Sequence, residues 1–274
     1  MTEIDLPPVR EIEANGWSVL ADAELADVLL EAGLLSAAQG APHAADGPTG
    51  RASHARLALP DNRAVIVRRY RHGGLLARLM NDRFLSSNRF RREFDLGRAA
   101  WAEGIPTAQP IAVGWRRAGW GNRGFIATIA IPGSRDLLDL FACPVGDPQR
   151  IAAARAAAIA VRRMHNAGVV HADLHLKNLL VGEGPDGPAS VAWVIDLDLA
   201  RRGPAPLALR TRVQNLARLF RSVEKHRRAG REIAAAEVEA FCKAYFGDDV
   251  EGCAAAHRAM RLAKLRARLH PRQS

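Results

Sequence analysis

The sequence predicts an α+β protein with an antiparallel-sheet first lobe and a mainly helical second lobe. Three observations predict it. Short β-branched segments crowd the first half, Pro132-Gly133 breaks the chain after them, and the remainder is mostly Ala-, Leu- and Arg-rich with helical spacing. At 274 residues the chain is long for one compact domain and suits two small lobes, residues 1–133 and 134–274.

Residues 24–37 have helical spacing with a glycine near the end, and Gln39 to Arg51 reads as loop. Ala55 to Leu59 and Ala64 to Val67 flank the turn residues Pro60-Asp61-Asn62 and predict a hairpin. A helix is predicted over about 87–103, stopped by Gly104 and Pro106. Ile111 to Trp115 and Gly124 to Ile131 read as strands. In the second lobe, Pro148 to Asn166 is a long Ala-rich helix. Val169-Val170, Leu179 to Val181 and Val191 to Ile195 are apolar strands around a polar loop. From about Thr211 onward the chain is helical, with glycine breaks expected near Gly230, Gly247 and Gly252.

Composition bounds the function. Three cysteines in no CxxC pair argue against a disulfide framework. The N-terminus lacks a signal-peptide pattern and arginines interrupt every apolar run, so a cytoplasmic protein is expected. A formal charge of +10 favours polyanionic partners. Aromatic residues are scarce and not interleaved with the basic ones, so no nucleic-acid partner is expected.

The chemistry lies in Val170-His-Ala-Asp-Leu-His-Leu-Lys-Asn-Leu-Leu-Val181, an H-x-D-L-x-x-x-N loop leading into a strand. A second strand then presents Asp196 at its end. Phosphoryl transfer needs positioning and charge neutralisation, and this set provides both. Asp173 is the candidate base for an acceptor hydroxyl. Asn178 and Asp196 are candidate oxygen ligands for Mg²⁺, with ATP as phosphoryl donor. His171 and His175 are candidate braces of the loop.

The first lobe needs a phosphate clamp. The strand Ala64 to Val67 ends in Arg68, where a lysine is usual. Its candidate helix partner is Glu93, which can equally form a structural salt bridge with a nearby arginine. Gly47 and Gly50 are the candidate phosphate-covering glycines, or plain linker.

At this point the residues resemble a known family. Val67-Arg-Arg-Tyr-Arg-His-Gly-Gly74 resembles the strand and glycine pair of 3-deoxy-D-manno-octulosonic acid (Kdo) kinases, of the lipopolysaccharide kinase group within the protein-kinase-like superfamily. Arg92-Glu-Phe94, the turn Gly104 to Ile111, His171-Ala-Asp-Leu174 with Asn178, and Ile195-Asp-Leu-Asp198 are similar to further motifs of that group. The chain departs from it at His72, where arginine is usual, and at Ala130-Ile131, where an acidic residue is frequent. The resemblance implies ATP-dependent phosphorylation of a Kdo hydroxyl, the 4-position in the family, on a lipid A precursor. It also implies a peripheral position on the cytoplasmic face of the inner membrane. Heptose kinases, other small-molecule kinases of the fold and a non-catalytic pseudokinase are the alternatives.

The basic surface fits an anionic glycolipid acceptor. Residues 68–92 carry eight arginines against Asp82 alone, and residues 254–274 carry six Lys or Arg and no acid. Met260, Leu262, Leu265 and Leu269 partly share one helical face. That pattern suits either a helix lying on an anionic membrane surface or one packed on its own lobe.

Overall fold

Asn15 and Gly16, at φ 52° and 75°, form the two-residue turn of an N-terminal hairpin. Strand β1 (Val9–Ala14) thereby pairs with β2 (Trp17–Asp22). This hairpin was not anticipated above. The computed structural model describes residues 6–40, 54–71 and 82–269, with the side chains of 263 and 266–269 excepted. Gly47, Gly50 and His72-Gly73-Gly74 lie outside the described residues.

The chain divides into two compact units. The first comprises Met1–Glu103 and Ala108–Ile131, the second Gly104–Thr107 and Pro132–Ser274.

In the first unit the sheet continues with β3 (His54–Ala58), β4 (Ala64–Arg69), β5 (Pro110–Ala118) and β6 (Gly121–Ile129). All pairings are antiparallel and the order is β1-β2-β5-β6-β4-β3. Strands β5 and β6 run closer to their shared turn than expected. Cross-strand pairing carries them through Arg116, Arg117, Asn122 and Arg123, whose polarity alone resembles loop.

The two faces of this sheet have separate cores. Trp17, Val19, Val65, Val67, Phe125 and Ala127 pack under two short helices, α1 (Ala26–Glu31) and α2 (Leu34–Gln39). These replace the single helical stretch expected over 24–37, which breaks at Gly33 with φ 88°. On the other face, Leu20, Tyr70, Val113 and Ile126 pack with Phe90 and Phe94 of helix α3 (Asn88–Ala102). Gly97 lets this helix approach β5 closely, since a Cβ there would stand 2.9 Å from Pro110.

The second unit starts with β7 (Arg135–Asp136) and the short helix α4 (Leu137–Leu140). Helix α5 (Pro148–Asn166) is capped by Asp147, whose carboxylate accepts the Gln149 N–H at 2.8 Å. Its buried alanines leave room for close packing against its neighbours. Strand β8 (Val169–Val170), the 3₁₀ turn Leu176–Asn178, the hairpin β9 (Leu179–Gly184) and β10 (Gly187–Val194), and β11 (Arg201–Arg202) surround the polar loop.

Helices α6 (Leu209–Arg228), α7 (Ala235–Phe246) and α8 (Val250–Leu269) complete the unit. Breaks occur at Gly230 and Gly247, both with positive φ. Gly252 is not a break. It lies in the first turn of α8, where its N–H is accepted by Asp249 at 2.8 Å. A buried ion pair, Arg150–Glu237 at 2.7 Å, ties α5 to α7.

Candidate active site

The polar loop in the second unit is organised around His171, which is fully buried. Its Nε2 lies 3.0 Å from the Ile195 carbonyl, and its Nδ1 lies 3.0 Å from the Asp173 N–H. A carbonyl can only accept, so Nε2 carries the proton and Nδ1 accepts. One neutral tautomer satisfies both contacts. Burial also pushes the His171 pKa down, which keeps that form. The ring therefore braces the loop, and it joins the segment before Asp173 to the segment before Asp196.

Asn178 makes the second link. Its side-chain N–H donates to the Asp173 main-chain carbonyl at 3.0 Å, while its main-chain carbonyl accepts the Ile195 N–H at 2.9 Å. Asp173, Asn178 and Asp196 are thus held in one hydrogen-bonded frame. The Asp173 side chain is 80% exposed, and its carboxylate stands 3.5 Å from His175 Nε2. Asp196 adopts φ 63°, a left-handed conformation uncommon for a residue with a Cβ. Such local strain concentrates at functional sites.

A deeper layer holds the frame, and no sequence motif announces it. Asn215 on α6 accepts the His171 N–H at 3.1 Å and donates to the His171 carbonyl at 2.7 Å. Its oxygen also lies 2.9 Å from His165 Nε2 on α5. The Tyr245 hydroxyl on α7 stands 2.6 Å from the other His165 nitrogen. The same proton argument applies: Nε2 of His165 donates to Asn215, so Tyr245 donates to Nδ1. All three side chains are buried, and burial pushes the His165 pKa down to about 4. The one sequence sign of this layer is a set of polar residues on otherwise apolar helix faces.

In the first unit, Arg68 and Glu93 form an ion pair of 2.6 Å between β4 and α3. Glu93 is buried, and the Arg68 guanidinium also lies over the Tyr70 ring at 5.2 Å. Helix α3 thus brings Glu93 to the cation at the end of β4, the pair that the sequence offered either as a phosphate clamp or as a structural salt bridge.

The donor set suits a hard cation. Asn178 uses its amide N–H on Asp173, which leaves the amide oxygen as an acceptor, and Asp196 adds a carboxylate. Mg²⁺ takes oxygen ligands and retains several waters, so few protein ligands suffice. Among the described residues no cluster of three or more His, Cys, Asp or Glu side chains offers a softer metal cage.

A strand-end cation paired with a helix glutamate, followed by such a loop, defines the protein-kinase-like class. A solved structure of WaaP in complex with acyl carrier protein shares this fold, with TM-score 0.53 and 19% identity over 89% of this chain and 98% of that one. The profile of the lipopolysaccharide kinase (Kdo/WaaP) family matches residues 43–245, and the chain belongs to that family.

Three curated relatives are each called 3-deoxy-D-manno-octulosonic acid kinase. The Vibrio parahaemolyticus protein is 31% identical over 60% of this chain and 66% of its own length. The Xanthomonas campestris protein is 33% identical over 59% and 62%. The Xylella fastidiosa protein is 33% identical over 66% and 70%. The chain spans slightly under two thirds of the first two of these relatives.

Proposed function

We propose that the protein is an ATP- and Mg²⁺-dependent kinase that phosphorylates a Kdo hydroxyl, at the 4-position, of a lipid A precursor. The observation that carries this reading is the joint bracing of Asp173, Asn178 and Asp196 around His171. Membership of the family and the name shared by the relatives support the choice of acceptor.

In this reading Asp173 orients the acceptor hydroxyl and takes its proton. The sugar oxygen forms a bond to the γ-phosphorus while the bond to the bridging oxygen breaks, and ADP leaves with that electron pair. Asn178 and Asp196 would hold Mg²⁺, which would supply neutralisation of the phosphate charge. Arg68, kept in place by Glu93, contacts the donor phosphates.

A peripheral position on the cytoplasmic face of the inner membrane goes with this substrate. Leu262 and Leu265 are exposed on α8, next to exposed Arg258, Arg261 and Lys264. That combination suits an anionic lipid surface. Among the described residues no helix is long and apolar enough to cross a membrane.

The test incubates the purified protein with ATP, Mg²⁺ and Kdo-bearing lipid A precursor and follows phosphate on the sugar. Transfer is expected and should vanish in Asp173→Ala and Asp196→Ala. Transfer to heptose alone would reassign the acceptor, and nucleotide binding without transfer would point to a pseudokinase.

A further inference from the structure

The end of helix α6 packs beside the loop that carries Asp173. Ser222 Oγ accepts the Leu176 N–H at 3.3 Å, which sets this helix against the 3₁₀ turn Leu176–Asn178. His226 lies one turn further along the same helix face. The chain then turns back, and the Arg231 N–H donates to the His226 carbonyl at 2.9 Å. Lys177 from the turn, His226 from the helix and Arg231 from the loop after it thus gather on one surface of the second unit.

The catalytic reading gives these three groups no task. Neither Lys177 nor Arg231 forms an ion pair among the described residues. The carboxylates nearby are engaged elsewhere. Asp173 stands 3.5 Å from His175, and Glu224 pairs with Arg227 at 2.8 Å. Asp136, on which Lys177 acts, accepts the Asp139 N–H at 2.7 Å as the cap of α4. Glu232 follows Arg231 in the chain but forms no ion pair with it. Burial pushes the His226 pKa down, and the strongest charges acting on it, Lys225, Lys177, Arg231 and His175, push the same way. A helix C-terminus favours cations in its own last turn, which accounts for Lys225 and Arg228. It does not account for Lys177, which comes from a separate segment. Like charges so gathered repel one another, and an anion among them relieves the repulsion.

We propose that Lys177, His226 and Arg231 hold an anionic group of the acceptor sugar, a carboxylate or a phosphate, while its reacting hydroxyl reaches Asp173. Lys177 and Asp173 are both exposed, so the sugar approaches from solvent and needs no enclosed pocket. Ammonium and guanidinium groups take either anion, so the two sources share one chemistry. Calling the ligand an acceptor rests on the kinase reading above, whereas binding of the anion does not.

The experiment follows the His226 ring signal of the full chain by NMR, assigned through its loss in His226→Gln. The probes are free Kdo for the carboxylate, glucosamine 1-phosphate for the phosphate, and the methyl ester of Kdo as the uncharged control. At least one charged sugar should raise the His226 pKa, because a nearby anion favours the imidazolium, and the ester should not. Lys177→Gln and, separately, Arg231→Gln should each weaken that binding at least tenfold, roughly the loss of one charge-assisted contact. Which charged sugar acts identifies the anion. In the transfer assay the same two variants should raise the KM for the acceptor and leave the KM for ATP unchanged. No response to either charged sugar would overturn the proposal, as would an equal response to the ester, equal affinity in both variants, or a raised KM for ATP alone. If binding behaves as expected but no transfer is found, the anion site stands and the proposed function falls.

Discussion

Asn215 holds both main-chain polar groups of His171, accepting its N–H at 3.1 Å and donating to its carbonyl at 2.7 Å. The two residues are 44 apart in sequence. This contact ties helix α6 to the loop that carries Asp173, and through His165 and Tyr245 it reaches α5 and α7.

Asn215→Leu removes both partners of His171 and the acceptor of His165. Three buried polar groups are then left unsatisfied. Each such group costs about 1–3 kcal/mol, so a loss of roughly 3 kcal/mol or more is expected. Urea denaturation of the variant would measure it. A midpoint equal to wild type would show that the brace is dispensable.

The pH dependence follows from His165, whose pKa burial lowers from 6.5 to about 4. Above the unfolded value the ring is neutral in both states, and its stabilising contribution is fully present. Below that value the unfolded chain takes up a proton that the folded site refuses, so stability falls until the folded value is reached. Over the whole window the loss is about 3 kcal/mol. The His171 shift, also downward through burial, acts in the same direction. Urea midpoints measured at several pH values should drop toward acid, and the drop should be smaller in His165→Gln. An unchanged slope in that variant would assign the acid sensitivity to other groups.

Asp173 is exposed, so its replacement should be chemical in effect and not structural. Asp173→Asn should lower kcat by about 10²–10⁴ while shifting the melting temperature by less than about 2 °C. Parallel kinetics and calorimetry would separate the two. A large melting shift would make the residue structural.

Asp196 has left-handed backbone geometry at φ 63°. Both Asp196→Ala and Asp196→Gly should abolish transfer, because each removes the carboxylate. They should differ in stability, with the glycine variant more stable by about 1 kcal/mol because it lacks the Cβ that disfavours this conformation. Equal stability would remove strain from the account.

The Arg68–Glu93 pair predicts a graded series. Arg68→Lys keeps a cation near the buried carboxylate and should retain most nucleotide affinity. Arg68→Ala leaves Glu93 without this partner and should cost about 1–3 kcal/mol, with at least tenfold weaker nucleotide binding. Thermal shift with and without nucleotide measures both effects. Unchanged nucleotide affinity in Arg68→Ala would take the pair out of the donor site.

The loop that carries Asp173 and Asn178 was legible in the sequence because its pattern is local. Asp173 and Asn178 are five residues apart, and Asp196 ends the next strand but one, so spacing and strand pattern suffice. The Arg68–Glu93 pair was legible for a similar reason, since one strand end and one helix face bring the two into reach. Boundaries were less so. The hairpin through Asn15-Gly16 has only a two-residue turn as its signal, and the ends of β5 and β6 carry charges that resemble loop until cross-strand pairing is known.

Other features depended on tertiary structure alone. Asn215, His165 and Tyr245 sit on three separate helices, and nothing in their spacing says that they meet. Their contact follows from how α5, α6 and α7 pack, which buried polar groups then make specific by requiring partners. The placing of the arginines on the first unit's sheet has the same origin. Arg116 and Arg123 become neighbours through strand register, and Arg69 separates from Arg68 because successive strand residues face opposite sides of the sheet. The sequence by itself determined which chemical groups the chain owns and the reaction class they suit. Only the tertiary structure decided which of them share an environment, because that depends on pairing and packing between segments far apart in the chain.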